Sequence, residues 1–178
     1  WMHSAYTLRM CMHHDFILDG MKRDRLPWAG DLAISLLSNA YTFADADIVT
    51  RSLTVLGRAG IAESDINGFL DYSLWWITCH SLYQTYFGDM PFLHREWRRI
   101  KLAVENLISR CDHQGMLVVD TEKRKDMVFI DWVEVNKMVA LQVLWWWALD
   151  SAISIANRVG CSEKEAKWKL LRDKVRER

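Results

Sequence analysis

Residues 136–159 constrain the fold more than any other stretch, because their centre, LQVLWWWAL (141–149), is apolar nearly all the way round a helix. Such a helix has to be covered on every side. A second segment of the same character, YSLWWITCHSLYQTYFG (72–88), carries Trp75 and Trp76. Only Pro27 and Pro91 interrupt a chain whose apolar residues recur at helical spacing. The pattern predicts a first helix to about His14 and a second from near Trp28 through LAISLLSNAYTF. A third, IVTRSLTVLGRAG, is capped by Asp45 or Asp47, and a fourth starts at Asp71 and closes at Gly88. The fifth has Pro91 in its first turn, where the missing N–H costs nothing. The sixth is the apolar helix itself, and Ser162 with Glu165 offers a capping box for a seventh. MLVVD (116–120) and MVFIDW (127–132) suggest a small β-hairpin near 116–130. Wholly apolar helices alternating with amphipathic ones predict an all-α chain in two concentric layers, of the α/α-toroid type. A simple four-helix bundle would not need them.

The remaining composition removes several classes of function. The 178 residues are enough for one domain with a substantial core. Lysines and arginines number 23 and so do the acids, so the chain lacks the basic footprint that a nucleic-acid partner requires. The apolar run Met138–Leu149 is too short to span a bilayer, so no membrane partner is expected. Cys11, Cys79, Cys111 and Cys161 form no CxxC pair, and adjacent His13 and His14 cannot share an ion on a helix. These are read as thiols without a disulfide frame, and no metal or cofactor is called for. His80 and Cys79 are read as core, as is the Trp145–Trp147 run, while REWRR (95–99) and the KVRER tail are read as solvated helix faces. A chain beginning with Trp carries no readable cellular address.

One segment does not fit a packing role. DGMKRDRLPWAGD (19–31) holds Asp19, Asp24 and Asp31 among Lys22, Arg23 and Arg25, with Trp28 beside them. It lies between two helices and contains two glycines and a proline. Carboxylates entering a helix N-terminus gain from its free N–H groups. The segment could be a loop knitted together by Asp–Arg pairs. It could also be a site, in which Trp28 walls off water and raises the pKa of a neighbouring acid. Gly20 and Gly30 would then allow close backbone approach.

DGxKRDRxxWxGD resembles the signature of the α-L-rhamnosidases, inverting glycoside hydrolases with a six-hairpin (α/α) barrel. INGFLDYSLWWI (66–77), YFGD (86–89) and FIDW (129–132) agree in order and spacing, so the likeness runs from about residue 5 to about 150. It implies a hydrolase that removes terminal rhamnose, with Asp24 as general acid. Asp19 and Asp31 would hold sugar hydroxyls, and Lys22 or Arg23 would be the basic sugar contact. Trp28, one of Trp75 and Trp76, and Trp132 would wall the ring, whose C6 methyl needs an apolar surface. Asp131 is a weaker candidate. An inverting mechanism needs a protonated acid and a base about 6.5–9.5 Å apart. No motif for the family's Glu base is present, and Glu134 is not assigned to it. Asp24 also stands where many relatives have Glu. Seven helices amount to about half of a six-hairpin ring, so residues 1–178 read as part of one barrel domain. The remaining half, or self-association, would have to cover its apolar surface. The alternatives are a non-catalytic carbohydrate-binding helical module and a purely structural domain with the ten tryptophans as core.

Overall fold

In the computed structural model, residues 1–22, 24–58, 64–119, 128–130 and 137–177 are described. They form α1 (Met2–Cys11), α2 (Ala29–Thr42), α3 (Ala46–Leu56), a 3-10 turn (Ile66–Gly68), α4 (Leu70–Phe87), α5 (Met90–Ser109), α6 (Lys137–Arg158) and α7 (Ser162–Arg176). Local chemistry sets most of these ends. The Asp45 carboxylate accepts the Ile48 N–H at 3.1 Å and starts α3. Asp89 does the same for Phe92 at 2.9 Å, with Pro91 in the first turn of α5. Gly88 stops α4 in the left-handed region, φ 67.

Three boundaries differ from the sequence reading. α1 ends at Cys11, short of His14, because Met12 turns extended and bridges back to Ile17. Asp71 lies inside the first turn of α4, fully buried, and does not cap it. The capping box at Ser162 does not form: Cys161 is the N-cap and no side chain caps α7. Residues 120–127, most of the expected hairpin, lie outside the described residues, and Leu117 bridges to Cys111.

α2, α4 and α6 pack side by side in one row. A second row fills its grooves: α3 lies against α2 and α4, α5 against α4 and α6, while α1 packs on α2 and α7 on α6. The described residues are therefore all-α and layered, as the periodicity predicts. α4 is the middle of the row, and twelve of its eighteen residues are buried. Its Trp76 has no exposed surface and donates its indole N–H to the Leu53 carbonyl at 2.9 Å, tying α4 to α3. Trp145 of α6, equally buried, donates to the Gly115 carbonyl at 3.1 Å. A buried indole of about 200 Å² contributes on the order of 5 kcal/mol of gross transfer free energy, an upper bound. Both need their N–H bonded to retain it.

α6 is not covered on every side. Val139 is 64% exposed, Val143 61% and Trp147 39%, a stripe at intervals of four residues. By length and composition α6 could cross a membrane, but 61% of that stretch is buried within the protein, so it is a core helix with one open face.

Candidate active site

The acidic loop closes on itself before entering α2. Asp19 exchanges backbone with Leu26, its N–H reaching the Leu26 carbonyl at 3.0 Å, while its carboxylate accepts the Leu26 N–H at 3.2 Å. Arg25 takes φ 53 and sends Nε to the Met21 carbonyl at 2.9 Å. Trp28 is the N-cap of α2, so Asp31 falls in that helix's first turn. Among the described residues no ion pair joins Lys22 or Arg25 to the loop's aspartates.

Asp19, Asp24, Trp28 and Asp31 instead line one cleft of about 470 Å³, together with Phe69 and Tyr72 from the start of α4 and Phe129. That volume suits one small ligand. The four rings form a box. Trp28 lies 6.0 Å from both Phe69 and Tyr72, and Phe129 lies 5.8 and 5.6 Å from the same two. Phe69 and Tyr72 are 5.1 Å apart. Most of these pairs meet edge to face, which offers ring faces and edges to an apolar ligand surface. Gly30 makes the approach possible: a Cβ there would stand 2.9 Å from Tyr72 Cε1. A second concavity, about 420 Å³, shares Asp19 and Asp31 and adds Gly20, Met21 and Lys22. A larger concavity, about 680 Å³, lies elsewhere, an apolar groove along Val118, Val139, Val143 and Trp146. It lacks the convergent acids, so the smaller cleft is the chemical candidate.

Burial orders the acids differently from the sequence reading. Asp24 is exposed at the cleft edge, so the expectation that an indole shields it is corrected. The raised carboxyls are Asp31 and Asp71. Burial raises Asp31 first and Asp19 second, against its own backbone N–H. Burial raises Asp71, against N–H groups that include those of Phe129 and Ile130. Tyr72 is pushed up to about 12 by burial and then by Asp31, Asp71 and Asp19. Its hydroxyl therefore stands in the field of three carboxyls.

Comparison with known proteins bears on the fold. No family model matches the sequence, and no curated protein matches it. A solved rhamnosidase from Klebsiella oxytoca with rhamnose bound superposes with a TM-score of 0.86 at 28% identity, over 98% of this chain and 36% of that one. This chain has a rhamnosidase fold. A GH78 family rhamnosidase from Bacillus sp. GL1 shares the fold at TM-score 0.80 and 21% identity, over 98% of this chain and 19% of that one. The chain thus spans about a third and a fifth of the lengths of these two rhamnosidases.

Within the rhamnosidase fold, Asp19, Asp24, Trp28 and Asp31 meet in one cleft and Lys22 lines the concavity beside it. The wall expected from one of Trp75 and Trp76 does not line this cleft. Trp76 has no exposed surface to offer a sugar. Trp75 packs on Trp147 at 5.5 Å and is not among the residues that line the cleft. Arg23, Asp131, Trp132 and Glu134 lie outside the described residues. The sequence reading missed Phe69, Tyr72, Phe129 and Asp71. Its one available signal was Phe69 and Tyr72, three apart on one face at the opening of α4. Asp71 has no exposed surface; one oxygen accepts the Phe129 N–H at 3.0 Å and the other has no partner among the described residues.

Proposed function

We propose that the cleft binds a terminal α-L-rhamnosyl unit of a glycoside or polysaccharide, and that the protein hydrolyses its glycosidic bond with inversion. The reading is carried by one juxtaposition: three aspartates and a four-ring aromatic box share a cleft in a chain whose fold is that of a rhamnosidase solved with rhamnose bound. Rhamnose is polar at its ring hydroxyls and apolar at its C6 methyl. Asp19 and Asp31 accept hydrogen bonds from the sugar hydroxyls, Lys22 or Arg23 supplies the cationic contact, and Trp28, Phe69, Tyr72 and Phe129 receive the methyl and the apolar ring face. Trp132 is kept as a further wall. Asp24, at the open edge, stands where a leaving oxygen would emerge and serves as general acid. The base that activates water is not among these residues. As part of one α/α-barrel catalytic domain, the chain would have the open face of α6 covered by the rest of the barrel or by a second copy.

Replacing Asp24 by Asn in the full-length protein should lower kcat/KM about 10²-fold or more on substrates with poor leaving groups. Activated aryl rhamnosides, which need little protonation, should lose far less. Equal, small losses on both would remove Asp24 from that role. A second reading, a carbohydrate-binding module without turnover, is favoured by the exposure of Asp24 to solvent at the cleft edge. Tryptophan-fluorescence titration with rhamnose beside an activity assay separates the two, since binding without hydrolysis supports the module.

A further inference from the structure

Trp28 occupies the N-cap of α2 but has no side-chain oxygen with which to cap it. The Ala29 N–H, the first orphan donor of the helix, belongs to a residue with no exposed surface. It is satisfied from 38 residues away: it donates to Asn67 Oδ1 at 3.1 Å. The Asn67 amide in turn donates to the Pro27 carbonyl at 3.1 Å. One side-chain amide thus bonds the backbone on both sides of Trp28, as a neighbouring strand would.

Asn67 is built to do this. It sits at φ 54, a left-handed conformation that Asn tolerates better than most residues. Its 3-10 turn is fixed from behind. Arg110 pairs with Asp65 at 2.8 Å, Ser73 Oγ donates to Asp65 at 3.1 Å, and the Ile66 N–H donates to Ser73 Oγ at 3.0 Å. Phe69, a ring of the cleft, follows two residues later. A non-glycine residue held left-handed by surrounding structure is typical of sites where geometry is enforced.

We propose that Asn67 is a positioning residue for the cleft: its amide holds the 27–29 backbone so that Trp28 and the first turn carrying Asp31 face Phe69 and Tyr72. The inference rests on the rhamnose-binding reading. Asn67→Gly is the informative variant, since glycine keeps the left-handed backbone and deletes only the amide. In the full-length protein we expect rhamnose to bind about tenfold more weakly in this variant, as Trp28 loses its register. Amide exchange at Ala29 should accelerate, with the far-UV circular dichroism unchanged. Asn67→Asp, which keeps the acceptor for Ala29 and loses the donor to Pro27, should fall between. Rhamnose affinity within twofold of wild type in Asn67→Gly would overturn the proposal. So would a loss of affinity with Ala29 exchange unchanged. A wild-type protein that does not bind rhamnose would instead overturn the reading of function beneath it.

Discussion

A methyl group added at Gly30 would stand 2.9 Å from Tyr72 Cε1 and 3.2 Å from Cζ. In an open helix, Gly to Ala gains about 0.5–1 kcal/mol. Here the ring in its way is held by Trp28, Phe69 and Phe129, so it cannot swing clear, and overpacking costs about 1–3 kcal/mol. The cost wins. Gly30→Ala should lower Tm by about 2–4 °C and weaken rhamnose binding, checked by calorimetry and titration. Asp71 makes an opposite prediction. Burial raises its carboxyl, so the fold prefers the neutral form and ionisation costs stability. That cost is absent below the ordinary carboxylate range and grows as pH rises through the raised value. Asp71→Asn, neutral at all pH and still able to accept the Phe129 N–H, should therefore gain Tm over wild type at pH 8. The gain should shrink toward pH 4, and a difference independent of pH would contradict it.

At the scale of elements, the opening of α4 organises the cleft. Asn67 reaches α2, Asp71 reaches Phe129, and Asp65 behind them is held by Arg110 of the turn after α5. Arg110→Met would leave a nearly buried carboxylate with, among the described residues, the Ser73 hydroxyl as its remaining partner, a loss of about 3 kcal/mol by denaturant unfolding. Helix existence and most ends were legible in the sequence because their causes are local: Asp45, Asp89 and Gly88 act within three or four residues. Ser162 misled because a cap depends on where the preceding chain enters, and Cys161 takes that place. In the cleft, the acids and Trp28 were legible because they are consecutive. Phe69, Tyr72 and Asn67 were not, because their partners lie about 40 residues away and neither periodicity nor composition encodes such a meeting. Trp76 shows the converse: its sequence neighbourhood matched the site, but its side chain turns into the core.

Across the whole molecule, two rows of helices bury a core that includes a titratable group at its centre. His80 has no exposed surface, lies between Trp76 and Phe92, and is lowered to about 4, first by burial. Its folded value is below the unfolded one near 6.5, so stability is full above pH 6.5 and lost as pH falls toward 4. Wild type should lose a few kcal/mol over that window, and His80→Met should flatten the slope; equal slopes would place the acid sensitivity elsewhere. The same two-row architecture is what the chain shares with rhamnosidases, and it presents the cleft at one end of α2 and α4.

The central claim is that this cleft takes rhamnose through its aromatic box and its aspartates together. Calorimetric titration of the full-length protein with L-rhamnose and with L-mannose, which differs by a hydroxyl on C6, tests it most directly. The account predicts saturable binding of rhamnose, about tenfold or more weaker binding of L-mannose, and loss of both in Trp28→Ala. Equal affinity for the two sugars, or rhamnose binding that survives the loss of Trp28, would contradict it.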